Sequence, residues 1–153
     1  MVQAIPDGLE GRIIPYLMID GAAAAIEFYQ QAFGATEVYR MEMPDGGIAH
    51  AEVHVNGATV YLSDAPADMD GNAANPKKLG GSPVLLHQYV ADVDATTETA
   101  RAAGATIARE PADQFYGDRA ALVEDPFGHL WSFHSHVRDV TPQEMEDAMK
   151  AMG

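Results

Sequence analysis

Apolar and polar positions along this chain read as strand, helix and three strands, and then as the same order again. Residues 12–19, dominated by Ile13, Ile14, Tyr16, Leu17, Met18 and Ile19, predict a strand. Asp20-Gly21 ends it and is placed to cap a helix, in which Ala22, Ile26, Tyr29 and Phe33 recur on one face. Gly34 suits the C-terminal cap. A strand over 36–43 leads through the turn Pro44-Asp45-Gly46-Gly47 to a third strand over 48–55. That strand alternates, with Ala49, Ala51, Val53 and Val55 on one face and Ile48, His50, Glu52 and His54 on the other. Asn56-Gly57 is a hairpin signal before a fourth strand over 58–64.

Residues 65–82 are rich in Gly, Pro, Asn and Asp, lack periodicity and read as a linker or mobile loop. The order then returns: a strand over 83–91, a helix over 93–103 and strands over 106–110, 119–124 and 129–137. Thr141-Pro142-Gln143-Glu144 is a capping box that opens a terminal helix over 141–152. Its Met145, Met149 and Met152 form a stripe suited to packing on this protein or on a subunit partner. The repetition extends to short motifs. Gly34-Ala35-Thr36 returns as Gly104-Ala105-Thr106, and Asn56-Gly57 is echoed by Phe127-Gly128. One small unit used twice predicts a function where the units meet.

Composition narrows the classes. With 153 residues, 47% of them hydrophobic, a single domain over 1–153 is expected. No cysteine is present, which removes disulfides and thiolate chemistry and suits a reducing, cytoplasmic setting. The first residues do not read as a signal peptide, and no apolar run approaches membrane-spanning length. A formal net charge of −14 repels phosphate backbones, so neither nucleic acid nor membrane is expected as a partner.

Several segments together carry a resemblance: Pro15-Tyr16-Leu17 with Ala25-Ile26-Glu27-Phe28-Tyr29, Ile48-Ala49-His50-Ala51-Glu52, and Leu62-Ser63-Asp64-Ala65. Tyr89-Val90-Ala91-Asp92-Val93-Asp94, Phe115-Tyr116-Gly117-Asp118-Arg119 and Asp125-Pro126-Phe127-Gly128-His129-Leu130-Trp131 extend it. Over roughly residues 12 to 145 the chain resembles the vicinal oxygen chelate superfamily (glyoxalase, bleomycin resistance, dioxygenase) and, within it, the PhnB-like branch. The resemblance implies an α+β fold of two tandem βαβββ modules, over 12–64 and 83–137, forming a curved mixed sheet around a cavity, plus the C-terminal helix. It also implies a homodimer whose cavity includes residues from both subunits. The superfamily hosts many reactions, so the fold does not name one.

Members of this superfamily that are enzymes hold a divalent metal through His and Glu on the first and fourth strands of each unit. The matching positions here are Ile14 and Tyr61, then Leu85 and Ser132, which are not a metal set. No cofactor is therefore expected, and the reading is a cavity for a small organic molecule, as in the antibiotic-sequestering members. Alternation places Tyr16, Tyr61, His87, Tyr89, Ser132, His134 and His136 on the cavity face, with Tyr16, Tyr61 and Tyr89 as aromatic walls. Arg119 and Arg12 are candidate anion contacts, and His50 and Glu52 are candidate catalytic groups, with Glu52 as a general base. The alternative is a lyase, isomerase or dioxygenase whose Zn, Ni, Fe or Mn has moved to His87, His134 and Glu52 or His50. Asp118 reads as the partner of a nearby base or a turn cap, and Asp64 as a turn residue. Trp131 is placed in the helix-facing core, His54 and His129 at the periphery, and no serine or cysteine nucleophile arrangement is apparent.

Overall fold

The computed structural model of the chain describes residues 3–65 and 74–153. The first unit comprises β1 (Tyr16–Ile19), α1 (Ala22–Phe33), β2 (Thr36–Glu42), β3 (Ile48–Val55) and β4 (Ala58–Asp64). A short helix, α2 (Pro76–Leu79), precedes the second unit. That unit comprises β5 (Leu85–Tyr89), α3 (Val93–Ala103), β6 (Thr106–Asp113), β7 (Asp118–Glu124) and β8 (Leu130–His136), and α4 (Pro142–Ala151) follows it. Each unit makes a four-stranded mixed sheet, in the orders β1-β4-β3-β2 and β5-β8-β7-β6. In both, the first and last strands run parallel, and the remaining pairs are antiparallel. The two βαβββ modules expected from the repeat are present, and the repeat includes its irregularities. Pairing slips between Glu37 and Tyr39 in β2 and between Ile107 and Arg109 in β6, at matching places in the two units.

Local chemistry accounts for the boundaries. Asn56 (φ 47°) and Gly57 (φ 82°) both adopt left-handed backbone, as a two-residue hairpin matched to strand twist requires. Gly34 ends α1 in the left-handed region and donates its N–H to Tyr29 O. The capping box of α4 is complete, with Thr141 and Glu144 bonding reciprocally. β1 starts at Tyr16 rather than residue 12, beyond Pro15, which has no N–H to give a ladder. β6 runs past its expected end through Pro111; it is an edge strand, where a missing donor is tolerated. Part of the expected linker is ordered as α2, opened by the Asn75 side chain and Pro76; its residues 66–73 lie outside the described residues.

One core joins the units. Tyr29 and Phe33 of α1 pack against Trp131 of β8 with ring centroids 5.4 and 4.8 Å apart, and Phe33 meets Phe133 at 5.1 Å. Leu17, Ile19, Ala51, Val53, Val60 and Leu62 bring the first sheet into the same cluster. Ile48 joins them, fully buried, although alternation placed it with His50. Pairing slips between Met41 and Glu42 and leaves Ala49 as an extra residue, which moves Ile48 to the core side. His129 is also buried rather than peripheral, because Asp125 draws its backbone inward and its Nε2 meets Met18 O at 3.0 Å. Asp64 does more than turn the chain. Its Oδ1 accepts from Gly21 N and Ala22 N, and its Oδ2 from Ile48 N at 2.7 Å. It thereby supplies the N-terminal cap that Gly21 lacks.

Candidate functional site

Since both sheets give their alternate residues to this core, their other faces turn away from it. The pairing register writes out those faces as rows. On the second sheet one row runs His87, Ser132, Leu122, Arg109, and the next runs Tyr89, His134, Ala120, Ala112. The small side chains of Ala120 and Ala112 leave room above the sheet. A cavity of about 520 Å³ lies there, lined among others by His87, Arg109, Tyr116, Leu122, Ser132 and His134. That is a volume suited to a small organic molecule.

The polar groups of this face are linked. The rings of His87 and His134 lie 4.2 Å apart between centroids. Ser132 Oγ is 3.0 Å from His134 Nε2, and His134 Nδ1 is 3.2 Å from Asp118 Oδ2. Tyr89 OH donates to the same Asp118 oxygen at 2.7 Å, and His136 Nδ1 lies 3.0 Å from Asp118 Oδ1. Asp118, Ser132 and His134 are all buried. Burial works against the Asp118 charge, but hydrogen bonds from Tyr89, His136 and His134 outweigh it and hold the carboxyl below its usual range. Tyr116 stacks over His134 at 6.2 Å.

The histidines titrate apart. Burial and then the neighbouring His134 push His87 below the ordinary value, whereas bonds to Asp139 and Asp118 raise His136. The raised group contributes stability below about pH 6.5, and that contribution is lost as pH rises through its folded value. The depressed group resists charging, so His87 withdraws stability as pH falls below about 6.5. In a proton NMR titration His87 is expected to have its midpoint below that value and His136 above it. A His87 midpoint above that of His136 would contradict this arrangement.

The first sheet presents the row Tyr16, Tyr61, Glu52, Tyr39. Tyr16 OH meets His50 Nδ1 at 2.8 Å, and the Tyr61 ring packs edge-on to His50. Glu52 bonds His54 Nε2 at 3.2 Å. None of these residues lines the cavity of the second sheet, so His50 and Glu52 are not brought to His87 and His134. Arg119 is not brought there either. Its neighbour Ala120 in β7 lines the cavity, while Arg119 binds Asp94 on α3 at 2.6 Å and Asp113 at 2.9 Å. The cation on the cavity face is Arg109, which sequence reasoning missed, together with Tyr116. Arg12 lines a second space of about 500 Å³, with Ile14, Val60 and Leu86, that shares Leu85 and His87 with the first. The signal for Arg109 lay in the repeat, since it occupies the place that Tyr39 holds in the first unit.

Known proteins share this architecture. A protein of Mycobacterium bovis described as uncharacterized is 44% identical over 146 residues, covering 95% of this chain and 96% of that protein. The crystal structure of TioX from Micromonospora superposes with a TM-score of 0.64 at 26% identity, covering 83% of this chain and 99% of that one. The fosfomycin resistance protein FosX of Listeria monocytogenes, solved with Mn(II) and sulfate, shares the fold at a TM-score of 0.61 and 16% identity, over 92% of this chain and 98% of that one. The family model of the Glyoxalase/Bleomycin resistance protein/Dioxygenase superfamily matches residues 13–133, through both units and into β8. This chain belongs to that superfamily.

Proposed function

We propose that the protein binds a small organic molecule on the His87, Tyr89, Ser132 and His134 face, without the divalent metal of its enzymatic relatives. The reading is supported by the donor set. By the resemblance, Ile14, Tyr61, Leu85 and Ser132 take the positions of such relatives' metal ligands, and none is a usual ligand for Zn, Ni, Fe or Mn. The displaced set does not suit a metal either. Both ring nitrogens of His134 have partners, and Glu52 lies on the other sheet against His54. Among the described residues no three His, Asp or Glu side chains are placed to hold an ion. Aromatic and imidazole rings around a few polar atoms favour a flat or partly apolar ligand.

A second copy of the chain completes the cavity in this reading. Tyr16, Tyr39, Met41, Leu85 and Tyr89 are exposed, large apolar side chains that covering by another copy would bury. The motifs around Glu52, Asp64 and Gly117 favour the PhnB-like branch within the superfamily. Native mass spectrometry of protein purified without chelators, joined to elemental analysis, tests the proposal. The expected result is a dimer carrying a co-purified small molecule and substoichiometric metal. A monomer with an empty cavity, or near one equivalent of Zn, Ni, Fe or Mn per chain, would overturn it.

A further inference from the structure

We infer that Ser132, His134 and Asp118 form a nucleophile, its base and a positioning carboxylate that hydrolyse small carboxylic esters through an acyl-Ser132 intermediate. The inference rests on the reading that this face takes up a small organic molecule. It goes beyond that reading because it assigns bond-making to the face.

The hydrogen-bond directions follow from the chemistry of the groups. An ionised carboxylate only accepts, so at the 3.2 Å contact His134 Nδ1 is the donor to Asp118. A neutral imidazole then keeps its lone pair on Nε2, and at 3.0 Å Ser132 Oγ–H donates to it. Ser132 is thus aligned with the base that would take its proton, and the base is held in the tautomer that can do so. Tyr89 and His136 anchor Asp118 from two further directions. Arg109 stands in the same row as Ser132, two strands away, a distance of about 10 Å between backbones that an arginine side chain can largely cross. It has no carboxylate partner among the described residues and is available to the charge that develops on a carbonyl oxygen. Leu122 and Tyr116 supply apolar wall for the acyl or alcohol part.

In the first step Ser132 Oγ bonds to the ester carbonyl carbon as its proton passes to His134 Nε2. The carbon–alkoxy bond then breaks, and His134 returns that proton to the departing alcohol. In the second step water gives a proton to Nε2 and its oxygen attacks the acyl carbon. The carbon–Oγ bond breaks, the acid leaves, and Oγ recovers the proton. No oxidant or further co-reactant is needed.

The test incubates the full chain with 4-nitrophenyl acetate, follows 4-nitrophenolate release, and maps acetylation by peptide mass spectrometry. A fluorophosphonate, whose adduct resists hydrolysis, reports the same site when deacylation is fast. Label on Ser132 is expected, and Ser132→Ala, folded by circular dichroism, should lose both label and turnover. Asp118→Asn should lower kcat at least about a hundredfold with KM little changed, a split that a purely structural role would not produce. Absence of label on Ser132, label confined to lysine or histidine, or a Ser132→Ala variant with wild-type turnover would overturn the inference. A co-purified ligand in native spectra together with an unlabelled Ser132 sinks only this step. A monomer with an empty cavity and an unlabelled Ser132 sinks the binding reading and this step with it.

Discussion

Asp125→Ala is expected to cost about 3–5 kcal/mol of folding stability, read as a lowered midpoint with unchanged slope in urea denaturation. Asp125 is buried, and its carboxylate is the acceptor around which the two units close. Oδ1 takes the N–H groups of Phe127 and His129, each at 2.9 Å, and so shapes the turn before β8. Oδ2 takes Tyr29 OH from α1 at 2.7 Å and Trp131 Nε1 at 3.0 Å. Burial, and then the Asp125 charge, holds the Tyr29 phenol well above its usual range, so Tyr29 remains a donor. Alanine would leave four buried donors without an acceptor, each worth about 1–3 kcal/mol before relaxation or water entry. Asp125→Asn keeps one oxygen but turns an amide toward Tyr29 and Trp131. The phenol can rotate to accept and the indole cannot, so a smaller loss of about 1–3 kcal/mol is expected. A fully stable Asp125→Ala protein would show that the units do not depend on this carboxylate.

Gly117→Ala is expected to lower stability by about 2–5 kcal/mol and to loosen the site with it. Gly117 has φ 98° and sits one residue before Asp118. A methyl group there would collide with the Arg138 carbonyl oxygen and approach Val140 Cγ2 at 2.8 Å. The crowding is built in, because Gly117 O accepts from both Val137 N and Arg138 N as the chain leaves β8. Displacing this turn moves the start of β7, and Asp118 with it, so perturbed His134 and His136 resonances should accompany the loss. Gly104→Ala is the control. Gly104 also has positive φ, 110°, but an added methyl would meet nothing within 4 Å, so only backbone strain of about 1–2 kcal/mol should appear. Equal losses at the two positions would refute the steric account.

Much of the architecture was legible because it is local. Asn56-Gly57, Gly34 and the Thr141 box act through backbone preferences that hold wherever they occur. The strand period placed Leu85, His87 and Tyr89 on one face with Ser132 and His134, and the register pairs His87 with Ser132 and Tyr89 with His134. Ile48 escaped because a single extra residue reverses parity, and sequence carries no clear mark of that bulge.

What the sequence determined by itself was the repeated unit and the alternation of each strand. Those properties depend on residue type and spacing. Tertiary structure alone decided which polar groups act together. It drew Arg119 to Asp94 and Asp113, left Arg109 on the cavity face, and kept His50 and Glu52 on the other sheet. It also made one linked set from Ser132, His134 and Asp118, in which Asp118 stands sixteen residues from His134 and meets it only because β7 folds back antiparallel on β8. A hydrogen bond requires atoms within about 3 Å, and only strand register and backbone slips set distances that fine.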